Sequence, residues 1–287
     1  MQDLQEFTLG ATIHFNDLIK LMSRLRDEGG CPWDIEQTHS SLKPYLVEET
    51  YEVIDAIDSG DSEKLKDELG DLFYQIIFHA QIAAENGEFD IHDVLKLGLD
   101  KMTRRHPHVF GDSQAATSKE VLEQWDEIKK GEKGNKDRKY IVDGLPKHLP
   151  ALQKAQKLQK KVSKVGFDWE DINDVIAKVE EEFSEFKHEI KHIRDEMPAD
   201  IQSSSNIEAI EEELGDFLFA IVNLARFLKL DTENVLHKAI YKFVNRFRLV
   251  EDELKSKGKS IEEASLDEMD LTWNMIKNKP INNNTSK

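Results

Sequence analysis

The chain has 287 residues, of which 39% are hydrophobic and 33% charged, with a formal net charge of −18. That length accommodates two domains of ordinary size, and the apolar fraction excludes a disordered chain. So acidic a surface excludes duplex nucleic acid and anionic membrane as natural partners, because no basic run exceeds Arg104-Arg105 or the paired lysines.

The N-terminal stretch MQDLQEFTLG carries no basic region followed by an apolar one, so no signal peptide is expected. No later apolar run approaches the ~18 residues of a membrane span. Apolar residues recur at helical spacing and strand-like alternation is scarce, which predicts an all-α chain. The first helices are expected at 12–27 and 41–58. Between them lie the single cysteine, Cys31, which excludes an intrachain disulfide and points to the reducing cytoplasm, and Trp33 just after a glycine pair. Thr38-His39-Ser40 reads as a turn that starts the second helix, and Pro44 falls in that helix's first turn, where proline is tolerated. Gly60, Asp61 and Ser62 punctuate the next turn, with Ser62 as the expected N-cap. Helices then follow at 62–86, ended by Gly87, and at 90–106 and 117–130. Residues 131–150, rich in Gly, Pro and charge, read as an interdomain linker. The second half repeats the plan with helices at 151–165, 171–193, 207–229, 231–257 and 260–278. The expected organisation is a domain over 1–132, a linker over 133–149, a second domain over 150–279 and a disordered tail over 280–287.

The two halves are related. VEETYEV (47–53) answers EEEFSEF (180–186), and DELGDLFYQI (67–76) answers EELGDFLFAI (212–221). KMTRRH (101–106) answers KFVNRF (242–247), and Trp125 and Trp33 answer Trp273 and Trp169, all in the same order. One spacing differs: 16 residues separate Glu52 from Glu68, but 28 separate Glu185 from Glu213. The extra residues, around MPADIQSSSN, predict a longer helix–helix loop.

The repeated segments carry acids at helical spacing. Glu48, Glu49 and Glu52 lie on one helix, and Glu68 and Asp71 on the next. Glu181, Glu182 and Glu185, then Glu213 and Asp216, are their counterparts. Residues three or four apart share a helix face, and a short connection makes the helices antiparallel neighbours, so two acidic pairs face each other in each half. A solvated acidic face is the ordinary reading of one such motif. Here Glu49 continues the apolar stripe of Leu42, Leu46, Val53 and Ile57, and Glu182 lies between Val179 and Phe186. Acids on the border of a core are costly unless paired or bound to metal. Like charges at this spacing repel, no lysine is expected among them, and the arrangement occurs twice. Hard oxygen donors suit Mg²⁺, with Mn²⁺ as the alternative. A di-iron carboxylate bundle calls for Glu-x-x-His, whereas both second motifs are Glu-x-x-Asp. His79 lies beyond Asp71, but Leu224 stands at its counterpart.

From about Leu18 to Lys277 the chain resembles the MazG family of nucleoside triphosphate pyrophosphohydrolases. The resemblance rests on EExxE followed by ExxD, on GGCPWDIEQTHSSLKPYLVEETYEV with ELGD, and on VGFDW with VEEEFSEF, ELGD, NLAR and KFVNRF. It implies two tandem helical domains of the all-α NTP pyrophosphatase type, each a helix bundle completed by dimerisation. It also implies Mg²⁺-dependent cleavage of NTP to NMP and pyrophosphate, for house-cleaning or control of nucleotide pools. By position, Glu182, Glu185, Glu213 and Asp216 hold metal in the second domain, and Glu49, Glu52, Glu68 and Asp71 do so in the first. Glu48 and Glu181 are further candidates, for a second metal or for orienting water. The second domain is expected to be the catalytic one, with Glu181, Glu182, Glu185, Glu213 and Asp216 as its acids.

A triphosphate also needs cations and a surface for its base. Lys242 and Arg246 are one helical turn apart, as are Lys101 and Arg105, and Lys178 stands four residues before Glu182. Arginine offers phosphate a bidentate fork and lysine a point charge. A base stacks on any aromatic ring, which makes Trp273 the leading candidate, ahead of Trp125, Trp33 and Trp169. Asn223 is a hydrogen-bonding candidate for base or ribose. The catalytically silent alternatives are a nucleotide sensor and a helical scaffold.

Overall fold

A computed structural model describes residues 14–132, 138–196 and 204–278. The described residues form twelve helices and no strand. The chain divides into two compact units, Met1–Glu132 and Lys133–Lys287. The proposed tail at 280–287 and most of the long loop around 197–206 lie outside the described residues.

In the first unit, α1 (Phe15–Arg26), α3 (Lys43–Ser59) and α4 (Ser62–Glu85) enclose the core. Met22, Leu42, Ile77, Phe78 and Ile82 form its buried centre, with Phe15, Leu18, Phe73 and Tyr74 around them. A short α2 (Pro32–Glu36), which periodicity alone does not reveal, starts on Pro32. Helix α3 ends at Gly60, whose left-handed backbone (φ 71°) turns the chain straight into α4. The cap of α4 is Asp61, one residue before the expected Ser62: its carboxylate accepts from the N–H groups of Glu63 (3.0 Å) and Lys64 (3.1 Å). An ionised acceptor satisfies two orphan donors at once, which is why it displaces the serine. The buried stripe of α3 runs Leu42, Leu46, Glu49, Val53 and Ala56, so Ile57, expected on it, is exposed. Helices α5 (Ile91–Arg105), α6 (Pro107–Phe110) and α7 (Ser118–Lys130) complete the unit.

In the second unit, α9 (Ile172–Glu196) and α10 (Ser204–Phe227) pair as α3 and α4 do. Helix α8 (Ala151–Ser163) packs on α10 and on α11 (Thr232–Ser256), and α12 (Leu266–Lys277) packs on α11. Buried Gln159 donates to the Phe219 carbonyl at 2.8 Å, fastening α8 to α10. The side-chain oxygen of Gln156 accepts from the N–H (3.1 Å) and hydroxyl (3.2 Å) of Thr232, fastening α8 to the start of α11. Helix α12 begins at Leu266 instead of 260, because Ser265 and Glu268 form a capping box there. Residues 138–150, within the segment read as an interdomain linker, make contacts with the second unit. Lys161 Nζ on α8 donates to the carbonyls of Ile141 (3.1 Å) and Asp143.

Candidate metal centre and adjoining cavity

Each helix pair brings three carboxylates together. One oxygen from each of Glu49, Glu68 and Asp71 lies within 4.8 Å of the others, and so do oxygens of Glu182, Glu185 and Glu213. The cause is local. Helical period places Glu49 and Glu182 on the buried stripes, and the opposing helix presents its Glu-x-x-Asp pair to them. Glu182 is only 7% exposed. Glu52 and Asp216 stand at the margins: neither joins the three-oxygen groups. Their charge nonetheless reaches them, Glu52 acting on Glu49 and Glu68, and Asp216 on Glu213.

Burial holds the Glu49 carboxyl above the usual glutamate value, with the charge of Asp71 next and those of Glu52 and Glu48 behind it. Glu68 is raised by burial and then by Glu52. Glu213 is raised by burial, then by Glu185, Glu182, Asp216 and Glu189. Crowded carboxylates resisting ionisation are what a divalent cation relieves. The spacing also fits one. Oxygens sharing Mg²⁺ at about 2.1 Å lie at most about 4.2 Å apart, so small side-chain rotations close the 4.8 Å group. The donor set is all carboxylate, as a hard cation requires.

The surroundings of the two clusters differ. Lys178 Nζ lies 2.7 Å from Glu181 and 2.8 Å from Glu182, so a lysine does relieve this set, contrary to expectation. Four residues are one helical turn, which puts Lys178 directly over Glu182. Its hydrogen bonds to Glu181 and then Glu182 hold it protonated well above lysine's usual range. In the first unit Tyr45 occupies the corresponding position, edge-on to Trp33 with ring centroids 5.7 Å apart. Arg105 is given to Glu132, with Nε donating at 3.0 Å, and lies over the Trp125 ring at 5.1 Å. Arg246, its counterpart on α11, has a buried Nε with no partner among the described residues. Lys242 and Lys101 stand one turn before these arginines. Trp273 packs against the buried Val250, Leu254 and Ile276 and lies 5.1 Å from Phe243, so it is a packing residue of α11 and α12.

Beside Glu182 the second unit has a cavity of about 560 Å³, lined mainly by apolar and aromatic side chains and by Lys178, Asp216 and Asn223. Gly166 shapes its rim: a left-handed backbone (φ 87°) ends α8 and swings Phe167, Asp168 and Trp169 across the mouth. Asp168 forms a two-point pair with Arg226 (Nη1 to Oδ2 3.0 Å, and Nη2 to Oδ1). Four features escaped the sequence reading. Glu189, which acts on Glu213, had a signal: it follows Glu185 by four residues, but Ala56 stands at its counterpart and the repeat hides it. Asp168 and Arg226 lie in the VGFDW and NLAR motifs, but nothing in the sequence pairs them, and Val142 had no signal, because tertiary packing alone joins the three.

The family model of the MazG nucleotide pyrophosphohydrolase domain matches this chain twice, over residues 37–110 and 171–250. The chain is 45% identical over 265 residues to the nucleoside triphosphate pyrophosphohydrolase of Escherichia coli (strain K12), covering 92% of this chain and 97% of that protein. It is 45% identical over 267 residues to the nucleoside triphosphate pyrophosphohydrolase/pyrophosphatase MazG of Thermotoga maritima, covering 93% and 97%. To a nucleoside triphosphate pyrophosphohydrolase of Mycolicibacterium smegmatis it is 43% identical over 152 residues, 52% of this chain and 46% of that protein.

Proposed function

Because the chain belongs to the MazG nucleotide pyrophosphohydrolase family and carries that domain twice, we propose that it hydrolyses ribo- and deoxyribonucleoside triphosphates to monophosphate and pyrophosphate with Mg²⁺, and that its second unit turns over. The observation that carries this reading is a juxtaposition. Glu182 belongs to the three-oxygen group and also lines the cavity, together with Lys178 and Asp216. In the first unit Tyr45 stands at the position of Lys178. Such an enzyme acts on the cytoplasmic nucleotide pool, in house-cleaning or regulation.

Glu182, Glu185 and Glu213, with Asp216 at the margin, would hold the metal. When bound, Mg²⁺ supplies the positive charge that admits a triphosphate to an acidic site and offsets the charge of departing pyrophosphate. The chain's own groups account for the rest. Water adds at phosphorus, the Pα–O–Pβ bridge opens, and the water proton passes to a carboxylate oxygen. Glu181 suits that role: it is exposed, lies outside the three-oxygen group and is oriented by Lys178. Lys178 meets phosphate from the cavity side. Lys242 and Arg246 on α11 are the further phosphate cations of this reading, and the buried Arg246 Nε has no partner among the described residues.

The working form is a homodimer. Leu95, Leu99 and Met102 make an exposed stripe on α5, and Leu236, Ile240 and Phe243 repeat it in register on α11. Exposed apolar stripes on helices are covered by association.

Phosphorus NMR of MgATP turnover tests the reading. Pyrophosphate and AMP should rise together, with no earlier orthophosphate. Formation of ADP and orthophosphate would overturn it.

A further inference from the structure

The cavity of the second unit has a directional lining. Asp216, Ala220 and Asn223 follow one another along one face of α10. Seven residues, about 10 Å of helix axis, separate Asp216 from Asn223, which is the length of a nucleoside. Small Ala220 leaves the space between them open. Phe167, Trp169 and Val142 provide apolar walls.

The polar end is fixed by a relay. Arg226 Nε donates to the Asn223 side-chain oxygen at 2.9 Å, while its terminal nitrogens are held by Asp168. That bond to the oxygen fixes which way the amide is turned and leaves its NH₂ as a free donor, since among the described residues no hydrogen bond takes that group. Val142 comes from the 138–150 segment, which Lys161 holds to α8. Within that segment the Asp143 carboxylate accepts from the N–H groups of Lys139 (3.1 Å) and Tyr140 (2.9 Å), stiffening the turn. The first unit shows the same helix face filled. Gln75 replaces Ala220, and Phe78, 1% exposed, replaces Asn223 and packs edge-on to Trp33 and Tyr74.

We infer that this cavity is a nucleobase subsite, in which the Asn223 NH₂ donates to a ring nitrogen or carbonyl on the base edge, Asp168 and Arg226 are positioning residues, and Val142 is a steric wall. The inference rests on the pyrophosphohydrolase reading of the adjoining carboxylates. One oriented donor among aromatic walls makes the site tolerant of the base, since every nucleobase has an acceptor and a face to stack.

The test separates base from phosphate by using ATP and inorganic triphosphate as probes on the full-length protein. Asn223→Leu should raise KM for ATP about tenfold with kcat within about twofold, and leave competitive inhibition by inorganic triphosphate unchanged. Arg226→Lys keeps the charge but loses the Nε contact, and should show the same KM-only change. Val142→Trp and the double variant Ala220→Gln/Asn223→Phe fill the cavity and should do likewise. Unchanged KM in Asn223→Leu and in the double variant, with wild-type melting curves, overturns the inference. So does an equal weakening of ATP and triphosphate in those variants. Calorimetric binding of α,β-methylene ATP with Mg²⁺, whose bridging carbon cannot be hydrolysed, reads the subsite without turnover. Wild type should bind this analogue at least about tenfold more tightly than inorganic triphosphate, and the double variant should bind both equally. Equal binding of the two probes by wild type overturns the subsite, whereas absent pyrophosphate release with that preference intact overturns only the activity.

Discussion

The two halves of this chain hold the same carboxylates in different company. Glu49, Glu68 and Asp71 converge within 4.8 Å, as do Glu182, Glu185 and Glu213. Around the first group, however, Tyr45 stands for Lys178, Gln75 for Ala220 and Phe78 for Asn223, and Arg105 is neutralised by Glu132 where Arg246 keeps an unpartnered donor. A carboxylate cluster needs only two helices in register, so duplication preserves it readily. A substrate cavity needs small side chains, a fixed donor and a nearby cation together, and a few substitutions fill it. A converging carboxylate cluster and an adjoining lined cavity are therefore separable features of the same scaffold.

Removing one acid from each half sets the two clusters against each other most directly. Loss of a metal's outer-sphere partner alone costs about 10–100-fold, so Glu182→Ala, which removes a direct donor, should lower pyrophosphate release by at least about a hundredfold. Glu49→Ala should leave the rate within about twofold of wild type. Comparable losses from the two variants, measured at saturating MgATP, would show that both units turn over.

The sequence exposed the acids and their duplication because helical periodicity is local, and a glutamate on an apolar stripe is visible without coordinates. Glu49 and Glu182 both lie where that pattern puts them. Lys178 sits four residues before Glu182, so its contact was within reach of the same spacing rule, yet a lysine reads first as a surface charge. The cavity was not legible. Val142, Asp168 and Arg226 belong to three separated segments, and only packing of α8 on α10 brings them to one wall. The segment around Val142 even carries the composition of a free linker, because Gly and Pro mark a turn equally well whether the turn hangs in solvent or is pinned by a lysine such as Lys161. Arg105 and Arg246 look equivalent in sequence, and what separates them is Glu132, 27 residues beyond Arg105.

If cation binding outlives catalysis in the first unit, Mg²⁺ should still stabilise it. Ligand at a hundred times its Kd stabilises the fold that binds it by about 2.7 kcal/mol. In scanning calorimetry of Glu182→Ala/Glu213→Ala, an Mg²⁺-dependent rise in melting temperature should persist. Further loss of Glu49 and Glu68 should abolish it. A catalytically dead variant with no remaining Mg²⁺ response would mean that the first cluster holds no cation.

The smallest expected difference lies in the arginine braces that support the two sites. Arg26 on α1 lies 2.7 Å from Glu85 on α4, and Arg226 on α10 pairs with Asp168 on the cavity rim. The Arg26 hydrogen bond holds Glu85 below the ordinary glutamate value of 4.5, and the Arg226 hydrogen bond holds Asp168 below the ordinary aspartate value of 3.8. A carboxylate lowered in the folded state contributes stability that is complete above its unfolded value and is lost as pH falls through its folded value. Glu85→Gln should therefore be less stable than wild type at about pH 7, and the gap should close on acidification below 4.5. Because the Glu85 side chain is 36% exposed, solvent screening keeps that gap to about 1 kcal/mol or less. Asp168→Asn should show a gap of the same sign that starts to close only below 3.8. Urea unfolding followed by tryptophan fluorescence across that range reads both. A gap that stays constant into acid would mean that the lost contact is packing, not charge. An earlier onset for Asp168→Asn than for Glu85→Gln would reverse the order in which the first unit and the cavity rim of the second lose their braces.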